Sequence, residues 1–222
     1  MAIFENLQLW LDDVPRPGPE AMAVDEWLLG QAAAPVLRIY GWQGAWGSLG
    51  YFGSLAEARA SFPGLSWVRR WTGGGIVDHR RDWTYTLAIP LDQPVARMKG
   101  AESYRLIHEA LCLALREYGV DAHLSAGEQE TGATACFENP VCHDLMDGQG
   151  RKLAGAGQRR TRVGLLHQGS VALPLAAQEL AIGLARHLSQ RVESVTLEPP
   201  AEWMAAQVKC RYDTPEWRAR RC

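Results

Sequence analysis

The chain has 222 residues, 47% hydrophobic and 22% charged, with a formal net charge of −2. That length suits one domain with a sizeable core or two small ones, and the charge balance gives no argument for nucleic acid or membrane as a partner. No apolar run reaches the roughly 18 residues of a membrane span, and residues 1–6 lack the basic-then-apolar pattern of a secretory signal, so a cytoplasmic location is expected.

The segment Leu7 to Leu11 reads as a first strand, after which Pro15, Pro17, Gly18 and Pro19 break the chain. Helical spacing follows at Met22, Ala23, Glu26, Trp27 and Leu29. Val36 to Trp42 and Trp46 to Tyr51 read as strands, and Leu55 to Ala60 as a short helix. Trp67 to Trp71 is a strand that runs into Gly73-Gly74-Gly75, with further strands at Ile76 to Asp78 and Trp83 to Ile89. The strongest helix is Glu102 to Tyr118, where Tyr104, Ile107, Leu111, Ala114, Leu115 and Tyr118 form one stripe and Gly119 stops it. A loop rich in Gly, Glu and Thr covers Ser125 to Ala135. A hairpin is then predicted, with arms Asp144 to Met146 and Arg151 to Arg160 about the turn Asp147-Gly148-Gln149-Gly150. Val163 to Leu173 is a strand, and Leu175 to Leu188 and Pro200 to Val208 are helical. Strands and helices mix without regular βαβ alternation, which predicts an α+β architecture with a mixed, largely antiparallel sheet and flanking helices. No linker divides the chain, so residues 1–222 are expected to form a single domain.

Three adjacent glycines carry a high ordering cost, so the backbone there must need positive φ or a close approach. No Gly-Lys-Ser/Thr follows, and Ile76-Val77-Asp78 reads as strand rather than helix, so neither a phosphate loop nor a dinucleotide fingerprint is present. What remains is a strand–glycine–strand element with backbone N–H groups open to an anionic or carbonyl ligand, and with Arg69 and Arg70 able to supply charge. A tight hairpin turn has the same composition. The five cysteines, Cys112, Cys136, Cys142, Cys210 and Cys222, are an odd set without framework spacing and read as reduced thiols. Cys136 with Cys142-His143 lacks the spacing of metal ligands, so no metal site is expected.

The string Arg69-Arg70-Trp71-Thr72-Gly73-Gly74-Gly75-Ile76-Val77-Asp78-His79 resembles the arginine-arginine-x-x-triple-glycine loop of the lipoate ligase and octanoyltransferase family. Met22 to Glu26, Leu37 to Trp42, Ser48 to Phe52 and Gly150 to Arg160 are similar, in the same order, to that family's first helix, paired early strands and lysine strand. The resemblance covers about residues 7–175. It implies the fold of the biotin and lipoate ligase catalytic domains, without a C-terminal accessory domain, and a tunnel for a medium-chain acyl group. It implies that the glycine loop covers the acyl group and that Lys152 contacts the acyl carbonyl. It also implies substrate-binding roles for Arg70, Gly73, Gly74, Gly75, Ile76, Val77, His79, Gly155, Ala156 and His167.

Ala135-Cys136-Phe137-Glu138-Asn139-Pro140 resembles the Cys-Phe-x-x-Pro loop of the cysteine-dependent octanoyltransferases. Alone, Cys136 reads as a small buried apolar residue. In this setting it is the expected nucleophile, with Lys152 favouring its thiolate and stabilising the oxyanion as the thioester forms. The implied reaction needs no cofactor: an octanoyl or lipoyl group passes from acyl carrier protein, through Cys136, to a lysine of a lipoyl domain or a glycine-cleavage H-type protein. An ATP-dependent lipoate ligase using ATP and Mg is the alternative, and a non-catalytic acyl- or carrier-binding protein a further one. Arg159, Arg160 and Arg162 are expected to steer an acidic carrier.

The sequence departs from the family in three places. His167-Gln168-Gly169-Ser170 stands one residue out of step with the usual His-Gly-Ser/Thr, and on a strand such a shift turns a side chain to the other face. Gly53 replaces a frequent glutamine and Arg80 a frequent aspartate.

Overall fold

The computed structural model describes residues 2–127, 141–173 and 177–220. Eleven strands form two sheets: β1 (Phe4–Arg16), β2 (Val36–Trp42), β3 (Trp46–Leu49), β4 (Ser66–Arg69), β5 (Ile76–Asp78), β6 (Trp83–Pro90), β7 (Ala122–Leu124), β8 (Leu145–Asp147), β9 (Lys152–Arg160), β10 (Gly164–Val171) and β11 (Ser189–Ser194). The large sheet has the order β11-β1-β2-β6-β10-β9-β8-β7, and the small one β4-β3-β5. Pairing is antiparallel from β2 through to β7, while β1 lies parallel to both β2 and β11, so the sheet is mixed and largely antiparallel as the sequence predicts.

Both faces of the large sheet are covered, which is why β6 and β10 are buried along their whole length. Alternation along β2 and β6 sends Leu37, Ile39, Tyr85, Leu87 and Ile89 to one side, into a core with α4 (Gly100–Glu117) and α5 (Ala177–Leu188). The α4 stripe supplies Ile107, Leu111, Ala114 and Leu115 to that core, and each fully buried Leu or Ile contributes about 1.5–3 kcal/mol. On the other side, Trp10, Val36 and Ala88 meet Val24 and Leu28 of α1 (Gly18–Gln31).

Helix α1 starts where the prolines predict a break. Pro17 is its N-cap and Pro19 lies in its first turn, where a missing N–H costs nothing. A Cβ on Gly18 would sit 2.6 Å from the Trp46 ring and 2.9 Å from Val68, so this glycine lets α1 pack closely on the small sheet. The helix is thereby held between the two sheets. Strand β1 runs further than its apolar pattern suggests, to Arg16, with a register irregularity between Asp12 and Arg16 that accommodates Pro15 at its end. The remaining helices are α2 (Leu55–Ser61), α3 (Pro94–Arg97), α6 (Ala201–Gln207), which continues into a π-helical turn at Val208–Tyr212, and α7 (Pro215–Arg218). No helix among the described residues is long and apolar enough to cross a membrane.

Candidate functional site

A narrow cavity opens between the two sheets beside α1. Its floor is one row across the large sheet. Tyr40, Thr84, Ser170 and Gly155 are register partners on β2, β6, β10 and β9, a span of about 14 Å at the usual strand spacing. Its other walls are Met22, Trp42, Arg70, Val77, His79, Ala156, Gly157 and Gln168. A larger surface groove of about 1380 Å³ runs past Pro199, Met204, Val208 and Pro215, but its polar lining is mostly exposed, as at Glu20, Lys209 and Asp213. The inter-sheet cavity, by contrast, has buried polar groups converging on it, among them Arg70, His79, Thr84, Gln168 and Ser170.

The two adjacent arginines before the glycine run have different tasks, because successive residues of a strand point to opposite faces. Arg69 is fully buried and donates to the carbonyls of Gly50, Tyr51 and Gly53 and to those of Trp217, Arg218 and Arg220, clamping the C-terminal segment to the small sheet. It is spent on the fold. Arg70 faces the cavity; its guanidinium donates to Ser48 Oγ at 2.6 Å and to the carbonyls of Gly73 and Gly75 at 3.1 and 3.0 Å. It therefore fixes the glycine loop's shape. Arg80 and Arg81, beyond the loop, are exposed, and Arg80 pairs with Asp78 at the surface.

The glycines are required by contact as well as by conformation. Gly74 has φ +95°, a left-handed backbone that favours glycine. Gly157 faces the loop so closely that a Cβ there would meet the Gly73 carbonyl and, at 2.9 Å, Thr72 Oγ1. Gly73 and Gly74 thus press on β9 beside the cavity. Thr72 donates to Gln168 Oε1 at 2.7 Å, and Gln168 Nε2 donates to Asp25 Oδ2 at 2.6 Å, so one side chain ties the loop to α1. His79 lines the cavity, held by Ser48 at 2.6 Å and Asp82 at 2.7 Å and stacked on Trp42 at 4.1 Å.

Lys152 lies behind Gly155. Between Leu145 and Met146 the register with β9 shifts, so that Leu153 and Ala154 both face the α4 core. The shift brings Lys152 and Gly155 to one face, although a regular strand would separate residues three apart. A Cβ on Gly155 would lie 2.7 Å from Lys152 Nζ, so the ammonium occupies the space a side chain would take. Lys152 Nζ pairs with Asp144 Oδ2 at 2.7 Å, and both side chains are buried.

Some predicted site residues lie elsewhere. Ile76 packs with Leu49, Ala58 and Trp67, away from the cavity. His167 faces α4, with Nε2 3.1 Å from Tyr85 OH and Nδ1 3.1 Å from Gln158 Nε2. Burial pushes its pKa well below the usual imidazole range, with His108 and Arg160 adding to the shift. It is a neutral imidazole behind the sheet, while Gln168 and Ser170 point into the cavity. The arginine trio also divides: Arg159 stacks on Tyr51 and Trp71 on the loop side, whereas Arg160 donates to Ser103 of α4. Cys136 lies outside the described residues.

Residues 17–211 match the lipoyl protein ligase A/B catalytic domain. The chain belongs to that family. Among its relatives, octanoyltransferase LipM of Kyrpidia tusciae is 36% identical over 187 residues, covering 77% of this chain and 67% of that protein. LipM of Symbiobacterium thermophilum is 34% identical over 221 residues, covering 92% of this chain and 76% of that protein. The fold matches that of lipoate-protein ligase A solved with ATP, at TM-score 0.71 and 20% identity over 97% of this chain and 99% of that one. A T. acidophilum protein described as a lipoate protein ligase and solved with lipoic acid gives the same TM-score, identity and coverage. These two likenesses establish the fold, which is that of the lipoate ligase catalytic domains.

Sequence reasoning missed Met22, Tyr40, Trp42, Thr84, Gln168 and Ser170 as cavity lining, and Asp144 and Tyr104 beside Lys152. One signal was present for part of this set. Period-two alternation places Gln168 and Ser170 together on β10, opposite His167.

Proposed function

We propose that this member of the lipoyl protein ligase A/B family is an octanoyltransferase of protein lipoylation. It takes an octanoyl group from a carrier thioester and delivers it to a lysine of a lipoyl domain, with no cofactor. The sequence likeness to the LipM octanoyltransferases supports the reaction class. The observation that carries the reading into this molecule is the buried Lys152 ammonium at one end of a cavity that crosses four strands. In this reading the octanoyl chain lies along that row of strands, with its carbonyl toward Lys152.

The chemistry balances without another reactant. The Cys136 thiolate attacks the donor thioester carbonyl, the carbon–sulfur bond to the carrier breaks, and the carrier leaves as its thiol. The amine of the acceptor lysine then attacks the Cys136 thioester; an amide forms and the cysteine thiol is restored. In both steps Lys152 stabilises the oxyanion that develops at the carbonyl oxygen. Cys136 precedes Asp144, the partner of Lys152, by eight positions in the chain. Arg70 and the glycine loop cover the acyl chain and exclude water.

The test is a transfer assay with octanoyl-acyl carrier protein as donor, a lipoyl domain as acceptor and no nucleotide. An octanoyl amide on the acceptor lysine is the expected result. Acylation that appears only with free acid and ATP, with pyrophosphate released, would make the chain a ligase instead.

A further inference from the structure

We infer that Asp144, held by Tyr104, is the positioning residue that fixes Lys152 at the cavity; the inference rests on the carbonyl-binding role proposed for Lys152.

The pair is buried to a degree that lysine seldom reaches without a partner. The Lys152 side chain is 2% exposed and that of Asp144 is 0% exposed, with 2.7 Å between Nζ and Oδ2. A buried ion pair is no better for stability than a well-packed apolar pair of similar volume, because desolvation offsets the attraction. Stability therefore does not explain why β9 carries a lysine here. A requirement for a fixed positive charge beside the cavity does.

The carboxylate is itself immobilised from several directions. Tyr104 OH donates to Asp144 Oδ1, and the Val141 N–H donates to Oδ2 at 2.7 Å. The Tyr104 oxygen also accepts the N–H of Ala156 at 2.9 Å, where β9 has passed the end of β8. One phenol thus joins a cavity-lining backbone group to the carboxylate that holds the lysine. The backbone before Asp144 is fixed as well. His143 has φ +70°, a left-handed conformation that a residue with a Cβ adopts at a cost. Its carbonyl accepts from His108 Nδ1 at 2.7 Å, which secures the turn that delivers Asp144. Gly155 completes the arrangement by leaving the volume that Lys152 Nζ occupies.

The consequence is mechanical. With Asp144 in place, the lysine stem has one resting position, and the oxyanion meets a charge already aligned. With the carboxylate neutralised, the ammonium loses its counter-charge and leaves its place beside the cavity.

The experiment compares wild type, Asp144→Asn, Tyr104→Phe, Lys152→Gln and the double variant Asp144→Asn/Lys152→Gln in the full chain. It measures octanoyl transfer to a lipoyl domain, with kcat and KM separated and thermal midpoints recorded. We expect Asp144→Asn to lower kcat about 100-fold with KM for the donor little changed. Tyr104→Phe leaves the ion pair in place, so it keeps the fold and should lower kcat by roughly 3- to 10-fold. The double variant should be no slower than Lys152→Gln alone, because Asp144 acts through the lysine. An Asp144→Asn that melts earlier but keeps its kcat would overturn the inference, and so would losses that multiply in the double variant. If Lys152→Gln itself keeps the wild-type rate, the fault lies with the role proposed for Lys152; if only Lys152→Gln is slow, it lies with the assignment of Asp144.

Discussion

Two buried ion networks serve this protein differently. Under α1, Arg38 donates to Asp12 at 2.9 Å, to Asp25 at 2.6 Å and to the Ala21 carbonyl at 3.1 Å, and lies 3.9 Å from the Tyr40 ring centroid. Its planar fork meets acceptors fixed by two elements, β1 and α1, and nothing about it needs to move. On β9, Lys152 presents a single ammonium on a flexible stem, paired with Asp144 next to the cavity. The arginine network joins a helix to strands; the lysine pair aims a charge. Burial is alike in the two, so burial alone does not mark the functional one. What separates them is the cavity beside Gly155 and the choice of a side chain that can be re-aimed.

The comparison makes its largest prediction for stability. Arg38→Met leaves the buried Asp25 carboxylate without its counter-charge and Asp12 with Arg16 alone, which costs about 3–5 kcal/mol. For a chain of this size that lowers the thermal midpoint by roughly 10 °C, while kcat per folded molecule should fall less than it does in Asp144→Asn. Calorimetry alongside the transfer assay checks both halves, and a variant that melts like wild type would erase the distinction.

The next effect concerns pH. Burial pushes the pKa of His108 down to about 4, from an ordinary value near 6.5. The folded state therefore refuses a proton that the unfolded chain accepts, so this contribution to stability is present above about pH 6.5 and is lost as pH falls towards 4. The loss from His108 alone is about 3 kcal/mol, and His167 acts in the same direction. Unfolding in denaturant across that window should show the slope, and His108→Gln should flatten it; an unchanged slope would contradict the neutral imidazole behind the sheet.

A smaller effect belongs to Gly155. Gly155→Ala puts a Cβ 2.6 Å from Lys152 Cε and 2.7 Å from Nζ, at the yielding end of a flexible side chain. The fold should tolerate it, with kcat lowered roughly tenfold by a displaced ammonium. An Asp25-side test is smaller still. Gln168→Ala removes the bridge between Thr72 and Asp25, costs about 1–3 kcal/mol and should appear mainly as a raised KM for the acyl donor, since the glycine loop loses a tether.

Much of this was legible in the sequence for identifiable reasons. The apolar stripe of α4 and the alternation of β6 are strong periodic signals, and the triple glycine announced a backbone under close contact. Strand β11 was not legible, because an exposed edge strand reading Ser-Gln-Arg-Val-Glu-Ser carries no apolar alternation. Nor was the parallel pairing of β1, which is set by partners distant in sequence. At the site, residue types were readable but their faces were not. Arg69 and Arg70 read as a pair, yet one clamps the C-terminal segment. His167 read as a site residue, yet period two sends it to α4 and gives Gln168 the cavity. The irregularity around Leu153, which sets Lys152 beside Gly155, leaves no mark in composition.

The central claim is that the octanoyl group passes through a cysteine thioester, with Lys152 as the charge beside it. Intact mass spectrometry after mixing the protein with octanoyl-acyl carrier protein, without ATP, tests it most directly when Cys136→Ala is run in parallel. One octanoyl adduct is expected on the wild type and none on the variant. An unmodified wild type, or an adduct that persists in Cys136→Ala, would contradict it.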